Sequence, residues 1–256
     1  MIIEYKGVQV FYTTSGSGKP LVLLHGFLET SKIWEPFLEE LSVKRRVICI
    51  DLPGHGNTGI FGEVHSMELM ADVVNSVLEE LDIPEATILG HSMGGYVGLA
   101  FAEKFPAKLS GLALMNSTPE ADSEERKIIR DRTVELVKKN KNAYIKIAIS
   151  NLVAPDNRLR FKREIEDLKQ EAYKFESKGI IACLMGMKIR TDRTDLLKHL
   201  TSYKIMISGR EDPIFPLNAA RKVALLSKCP LKVVGGGHLS YIESYSNVRE
   251  IVYFID

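Results

Sequence analysis

The sequence predicts an α/β fold in which helices flank a mostly parallel sheet. Three observations carry that expectation. Short runs that are apolar on both faces recur along the chain, amphipathic helical patterns lie between them, and several runs end in glycine-containing turns. Strands buried on both sides read as continuous apolar runs, and strand–helix alternation is the pattern of a doubly wound sheet.

Residues 1–14 alternate apolar and polar about Gly7, which predicts two short strands joined by a tight turn. After a loop at Ser15–Pro20, Leu21–Leu24 is the first buried run and ends in His25-Gly26-Phe27. Ser31–Leu41 predicts a helix with Ser31 as its cap and Trp34, Phe37, Leu38 and Leu41 on one face. Arg46–Ile50 ends in Asp51-Leu52-Pro53-Gly54-His55-Gly56. A helix over Met67–Leu81 leads to the run Ala86–Leu89, which ends in Gly90-His91-Ser92, and a further helix covers Gly94–Phe105. Leu109–Met115, Tyr203–Ile207 and the weaker Leu231–Val234 complete the strand runs.

Between Pro119 and Asp195 this rhythm breaks. Ser123–Lys139 and Asn142–Val153 read as helices, Pro155 marks a break, and Phe161, Ile165, Leu168, Ala172 and Phe175 fall at helical spacing. Gly179–Met187 is apolar almost throughout. The segment predicts three or four helices inserted between two strands as a lid over strand ends. The division is then a core of 1–118 and 196–256 and a lid of 119–195. The plainer alternative is extra helices packed on the core with no gating role.

Composition narrows the function classes. Hydrophobic residues at 45% and charged residues at 26% are those of a folded globular chain. The 34 Lys and Arg against 33 Asp and Glu leave a net charge of +1, so no strong field points to nucleic acid or to an anionic membrane. No apolar run of about 18 or more residues predicts a spanning helix, and the N-terminal stretch has no run suited to a signal peptide. Cys49, Cys183 and Cys229 are odd in number and lack metal-like spacing, which predicts a reducing compartment, the cytoplasm by default, with no metal and no disulfide framework. Residues 119–195 carry 18 Lys and Arg against 14 Asp and Glu, a net of +4; this either favours anionic substrates or belongs to solvated helix faces.

Gly90-His91-Ser92-Met93-Gly94 is a G-x-S-x-G pattern between an apolar run and a helical one, the strand–turn–helix setting of a nucleophile elbow. Such a turn lifts the Ser92 hydroxyl above the sheet and puts the Met93 N–H where negative charge would develop. A serine hydroxyl needs a base. Of the six histidines, His25 and His55 sit inside turn motifs and read as loop braces. His65 and His199 lie in polar surroundings, and the His91 side chain is expected to project away across the turn. His238 follows Gly235-Gly236-Gly237 after the last strand run and is the candidate base. Asp212, on the loop after a strand and stiffened by Pro213, is the candidate acid, with Glu211 its rival and Asp51 reading as a loop former. The Phe27 N–H, after Gly26, is the candidate second oxyanion donor.

Together, LVLLHGF, DLPGHG, GHSMGG, SGREDP and GGGHLSYIE, in this order and spacing, resemble the α/β-hydrolase superfamily across nearly the whole chain. The resemblance implies a mostly parallel eight-stranded sheet with an inserted helical cap at 119–195. It implies Ser92 as nucleophile, Asp212 as acid, His238 as base, and the Phe27 and Met93 amides as the oxyanion hole, with no cofactor. Serine at position 92 argues against the dehalogenase and epoxide-hydrolase branches, whose nucleophile is Asp.

Within the superfamily the first expectation is hydrolysis of a small carboxylic ester, apolar or mildly anionic. A cofactor-free lyase or carbon–carbon hydrolase is the alternative, since the chain is similar to the menaquinone-pathway synthase of this fold. It departs from that family at His91 and Tyr96, where the family has Tyr and Arg, although Arg126, Arg130, Arg158 or Arg190 could supply a cation. Thioesterase or amidase activity and a slow small-molecule receptor complete the set. Phe27, Tyr96, Leu184 and Met187 are candidate pocket walls. Trp34 is expected to pack its helix on the sheet, and Tyr241 and Glu243 to anchor the final helix.

Overall fold

The computed structural model describes residues 1–255. Eight strands form one sheet in the order β1-β2-β4-β3-β5-β6-β7-β8. They are β1 (Ile2–Tyr5), β2 (Val8–Ser15), β3 (Lys19–Leu24), β4 (Arg45–Ile50), β5 (Ala86–His91), β6 (Leu109–Met115), β7 (Tyr203–Gly209) and β8 (Leu231–Val234). β1 and β2 run antiparallel, and every pair from β4 to β8 is parallel. The apolar runs at Leu21–Leu24 and Ile48–Ile50 are buried throughout, as strands covered on both faces must be.

Topology places the site. The chain passes from β3 outward to β4 through α1 (Glu35–Leu41), then doubles back past β3 to β5 through α2 (Met67–Glu80). From β5 it continues in one direction through α3 (Met93–Lys104) to β6. Parallel crossovers are right-handed, so the reversal puts α1 on one face and α2 and α3 on the other. A crevice opens where the direction reverses, at the carboxyl ends of β3 and β5. His25-Gly26-Phe27 and His91-Ser92 occupy those two ends.

The helix expected over 31–41 begins differently. Ser31–Trp34 is a 3₁₀ turn capped by Thr30, whose Oγ1 accepts from Lys32 N at 3.4 Å, and α1 starts only at Glu35, with Pro36 in its first turn. Ser31 does not act as the cap: its own N–H donates to Asp51 Oδ1 at 2.8 Å, which ties the turn to the end of β4. Trp34 and Phe37 are fully buried, as their spacing predicted.

Between β6 and β7 lie α4 (Glu124–Ser150), α5 (Lys162–Tyr173), α6 (Ser177–Lys188) and α7 (Thr194–His199). The two helices expected at 123–139 and 142–153 form one element broken at Asn140, whose backbone leaves the helical region (φ −158°, ψ 85°). Its Oδ1 accepts from Ala143 N at 3.0 Å and so caps the second limb. α6 is apolar nearly all round because it is buried against the core: Gly186 lies so close to the His65 carbonyl that a Cβ there would overlap it. Beyond β7 come α8 (Leu217–Leu226), α9 (Ser240–Glu243) and α10 (Tyr245–Tyr253). Among the described residues no helix is long and apolar enough to cross a membrane.

Candidate active site

Ser92 sits between β5 and α3 with φ 50° and ψ −113°, a left-handed conformation that costs a non-glycine residue roughly 1–3 kcal/mol. The neighbourhood enforces it. Gly90 and Gly94 approach so closely that a Cβ on Gly90 would overlap the Gly94 carbonyl. Ser92 N donates to Met115 O at 2.9 Å, and Ser117 Oγ donates to Ser92 O at 2.8 Å.

Ser92 Oγ lies 2.9 Å from His238 Nε2. His238 Nδ1 lies 2.8 Å from Asp212 Oδ2 and 3.0 Å from Oδ1. Three side chains from the ends of three strands are thus joined in one hydrogen-bonded line. Asp212 is buried and held on all sides: Ile214 N and Phe215 N donate to Oδ1 at 2.8 and 2.9 Å, and Asn116 Nδ2 donates to Oδ2 at 2.8 Å. Burial pushes its carboxyl up, but the His238 charge, its hydrogen bond, the Phe215 amide and Asn116 together hold it below the usual value. Glu211, the rival acid, is exposed and outside this line. Asp51 accepts from Ser31 N and Asn57 N, which makes it the loop former expected.

The Phe27 N–H follows β3 and the Met93 N–H opens α3. Among the described residues neither donates to another protein group. Phe27, Tyr96, Leu184 and Met187 all line one cavity of about 520 Å³ that also reaches Ser92 and His238. Both limbs of α4 line it too, through Ile129 and Leu136 on one side and Tyr144 and Ile147 on the other. Its walls are mainly apolar. Arg126, Arg130 and Lys139 also line it; Arg130 and Arg190 are engaged with Asp122 at 2.5 and 2.6 Å. Arg190 further lies over the Tyr96 ring, 4.1 Å from its centroid, and Arg158 donates to Asn151 Oδ1. Among the described residues no cluster of three or more His, Cys, Asp or Glu side chains is arranged to hold a metal ion.

Two histidines differ from expectation. His65 is fully buried rather than in polar surroundings, accepting from Phe61 N at 3.0 Å and facing Pro53 O and Cys183 Sγ through Nδ1. Burial pushes its pKa down to about 4. His91 does not project away; it runs beneath His238, where Nε2 meets His238 O at 3.0 Å and Nδ1 meets Glu29 Oε2 at 2.8 Å. His25 and His55 brace loops as expected, accepting from Leu52 N and Leu28 N. Glu29, Asn116 and Glu243 escaped the sequence reading as parts of the site. Glu243 holds the glycine loop, accepting from Gly237 N at 2.8 Å, and it also takes Ala154 N and Asn157 Nδ2 from the helical insertion.

A model of the alpha/beta hydrolase fold matches residues 19–245. The chain belongs to that family. A thermophilic esterase from Thermogutta terrifontis, solved with malate bound, is similar at 30% identity, with a TM-score of 0.91 over 98% of this chain and 94% of its own. The dihydrolipoyllysine-residue acetyltransferase component of an acetoin-cleaving system from Pseudomonas putida is 30% identical over 240 residues, 91% of this chain and 62% of that protein. A putative non-heme haloperoxidase of Mycobacterium phage D29 is 36% identical over 117 residues, 45% of this chain and 42% of that protein. The chain thus spans less than two thirds of the length of these two curated relatives. The α/β-hydrolase assignment agrees with the order of motifs read from the sequence.

Proposed function

We propose that this α/β hydrolase cleaves small carboxylic esters through an acyl-enzyme on Ser92. The reading is carried by one observation, the continuous line Ser92 Oγ–His238 Nε2 and His238 Nδ1–Asp212. Ser92 Oγ attacks the ester carbonyl carbon while its proton passes to His238 Nε2. The carbonyl oxygen becomes an oxyanion facing the Phe27 and Met93 amides, a pair of donors each commonly worth about 2.7–4 kcal/mol in the barrier. His238 returns the proton to the leaving alkoxide, and the alcohol departs. A water that gives its proton to His238 then attacks the acyl carbon; the bond from that carbon to Ser92 Oγ breaks, His238 returns the proton to Oγ, and the acid leaves. Asp212 stays a carboxylate throughout, fixing the tautomer that leaves Nε2 free to accept.

Residues 119–195 serve as a cap in this reading, with α4 and α6 forming the walls over Ser92. The apolar lining favours an apolar acyl or alcohol group, and Arg126 and Lys139 in the wall tolerate negative charge on it. Arg130 and Arg190 are paired with Asp122 and Arg158 is held by Asn151, so the cationic lining rests on Arg126 and Lys139, and the mainly apolar wall favours the ester over the lyase alternative. The three cysteines are buried free thiols, which fits a reducing, cytoplasmic setting.

The test is a series of p-nitrophenyl esters from acetate to decanoate, with fluorophosphonate labelling. Wild type is expected to turn over short and medium chains and to be labelled at Ser92. Ser92→Ala should lose label and at least about 10³-fold in kcat. Absence of both turnover and labelling in folded wild type would overturn the reading.

A further inference from the structure

A second buried acid–histidine pair lies beneath the first, and the proposed ester chemistry does not use it. Glu29, in the turn after β3, and His91, the last residue of β5, are both almost wholly buried, and Tyr241 of α9 closes over them. His91 Nδ1 meets Glu29 Oε2 at 2.8 Å, and His91 Nε2 meets the His238 carbonyl at 3.0 Å. Both ring nitrogens therefore face oxygens that accept. A neutral imidazole carries one N–H and one lone pair, so the ring needs a second proton, on Nδ1 or borrowed from a protonated Glu29.

The surroundings decide where that proton sits. Glu29 Oε2 also accepts from Gly26 N at 2.6 Å, and Glu29 Oε1 accepts from Tyr241 Oη at 2.9 Å. A carboxyl group receiving two other hydrogen bonds is held as the anion. From the geometry we infer that His91 is a resident imidazolium paired with the Glu29 carboxylate, and that it is a positioning residue for ester hydrolysis. This inference rests on the function proposed above.

What it positions is definite. One end of the pair donates to the main chain of His238, the proposed base. The other end, through Glu29, holds Gly26, whose neighbour Phe27 carries the proposed oxyanion donor. The pair thus fixes the spacing between base and oxyanion hole, which arise from loops far apart in sequence. Angstrom-scale misplacement of such groups costs about 10²-fold in rate.

Its protonation links rate to pH. The titratable groups facing His91 are Glu29 from the β3 turn, Tyr241 from α9 and His238, whose ring centroid is 5.2 Å away. Asp212 and His25 act on it from farther off. Burial opposes its charge, but Glu29 by attraction and hydrogen bond, the His238 carbonyl and Asp212 outweigh that and raise its pKa above the ordinary histidine value. Tyr241 is pushed well above the usual phenol range by burial and by Glu29, so it holds its proton longer. The link is therefore an alkaline one: as His91 loses its proton, one of its two tethers becomes lone pair against lone pair.

Two readouts test this. Histidine ¹⁵N NMR of folded wild type reports His91 directly and needs no turnover. The expected result is an imidazolium signal, protonated at both nitrogens through pH 7, which a neutral ring would overturn. Ester kcat against pH is then measured for wild type, Glu29→Gln and His91→Gln. Wild type should show an alkaline limb coincident with the His91 titration. Glu29→Gln, which removes the counter-charge, should move that limb toward neutrality with KM nearly unchanged. His91→Gln should lower kcat at least about tenfold and abolish the limb. If both variants keep the wild-type profile, the positioning role fails; if neither variant folds, the coincidence of limb and titration in wild type decides it. Failure of wild type to hydrolyse any ester would sink the ester reading and with it the positioning role, while the NMR result stands separately.

Discussion

The loops at the strand ends and the helices between β6 and β7 solve opposite problems. At the strand ends, polar groups are buried and nearly saturated: Asp212 takes Ile214 N, Phe215 N, Asn116 and His238, and Glu29 takes Gly26 N, Tyr241 and His91. Such networks tolerate one arrangement, because each lost partner leaves a buried polar group unpaired. The helical insertion leaves apolar side chains exposed where it meets the cavity. α4 exposes Ile129, Leu136 and Ile147 at 45%, 55% and 63%, and its outer face carries pairs such as Lys127–Glu124 and Lys138–Glu135, each worth about 0–1 kcal/mol. The contrast teaches a division of labour. One region holds buried polar side chains in a single arrangement, and the other presents an exposed apolar surface to the cavity.

The contrast breaks most severely at Asp212. Asp212→Asn keeps the size but presents an amide in place of the carboxylate, and His238 loses the acceptor that selects its tautomer. Loss of this acceptor in a comparable triad lowers kcat by about 10⁴-fold, and a loss near that size is expected in ester turnover. Glu211→Gln, one residue away but exposed, should leave kcat within twofold of wild type. Equal effects at 211 and 212 would mean that the hydrogen-bonded line does not govern rate.

A smaller break lies inside the insertion, in an ion cluster that touches the core where Arg190 covers the Tyr96 ring. Asp122 is buried between Arg130 and Arg190, and these guanidiniums hold its carboxyl below the usual value against the opposing effect of burial. Arg190→Met leaves Arg130 alone to satisfy Asp122 and removes the cation over Tyr96. A stability loss of about 1–3 kcal/mol is expected from urea unfolding at pH 7. A lowered carboxylate pKa contributes stability that is full above its ordinary value and is lost as pH falls through the lowered one. The gap between wild type and variant should therefore be widest at neutral pH and close on acidification. A constant gap would show that Arg190 acts through packing, its contact with Tyr96 included, and not through the charge of Asp122.

What the sequence reveals follows the same division. The elbow was legible because a strained turn demands small residues beside the serine, and Gly90 and Gly94 stand within two positions of it. His238 and Asp212 were legible because both follow strand runs at the sheet's carboxyl edge. His91 was misjudged and Glu29 missed because their pairing spans 62 residues and rests on how two turns face each other, which no local pattern records. Asn116 did carry a signal: it follows β6 directly, at the edge where the other site residues lie. The walls at Leu184 and Met187 could be guessed from apolarity alone. Ile129, Leu136 and Ile147 could not, because the break at Asn140 sets which faces of α4 oppose each other.

The mildest prediction tests that apolar surface. Ile147 is 63% exposed yet lines the cavity. Ile147→Ser should change stability by no more than about 0.5 kcal/mol, as expected for an exposed site. If long acyl chains run between the limbs of α4, the same change should raise KM for the p-nitrophenyl decanoate several-fold. The acetate should then be unaffected, because a side chain contributes binding only to substrate atoms it touches. A parallel rise for both esters would place the acyl chain elsewhere, toward Leu184 and Met187. The groove between the two limbs of α4 would then belong to the leaving alcohol.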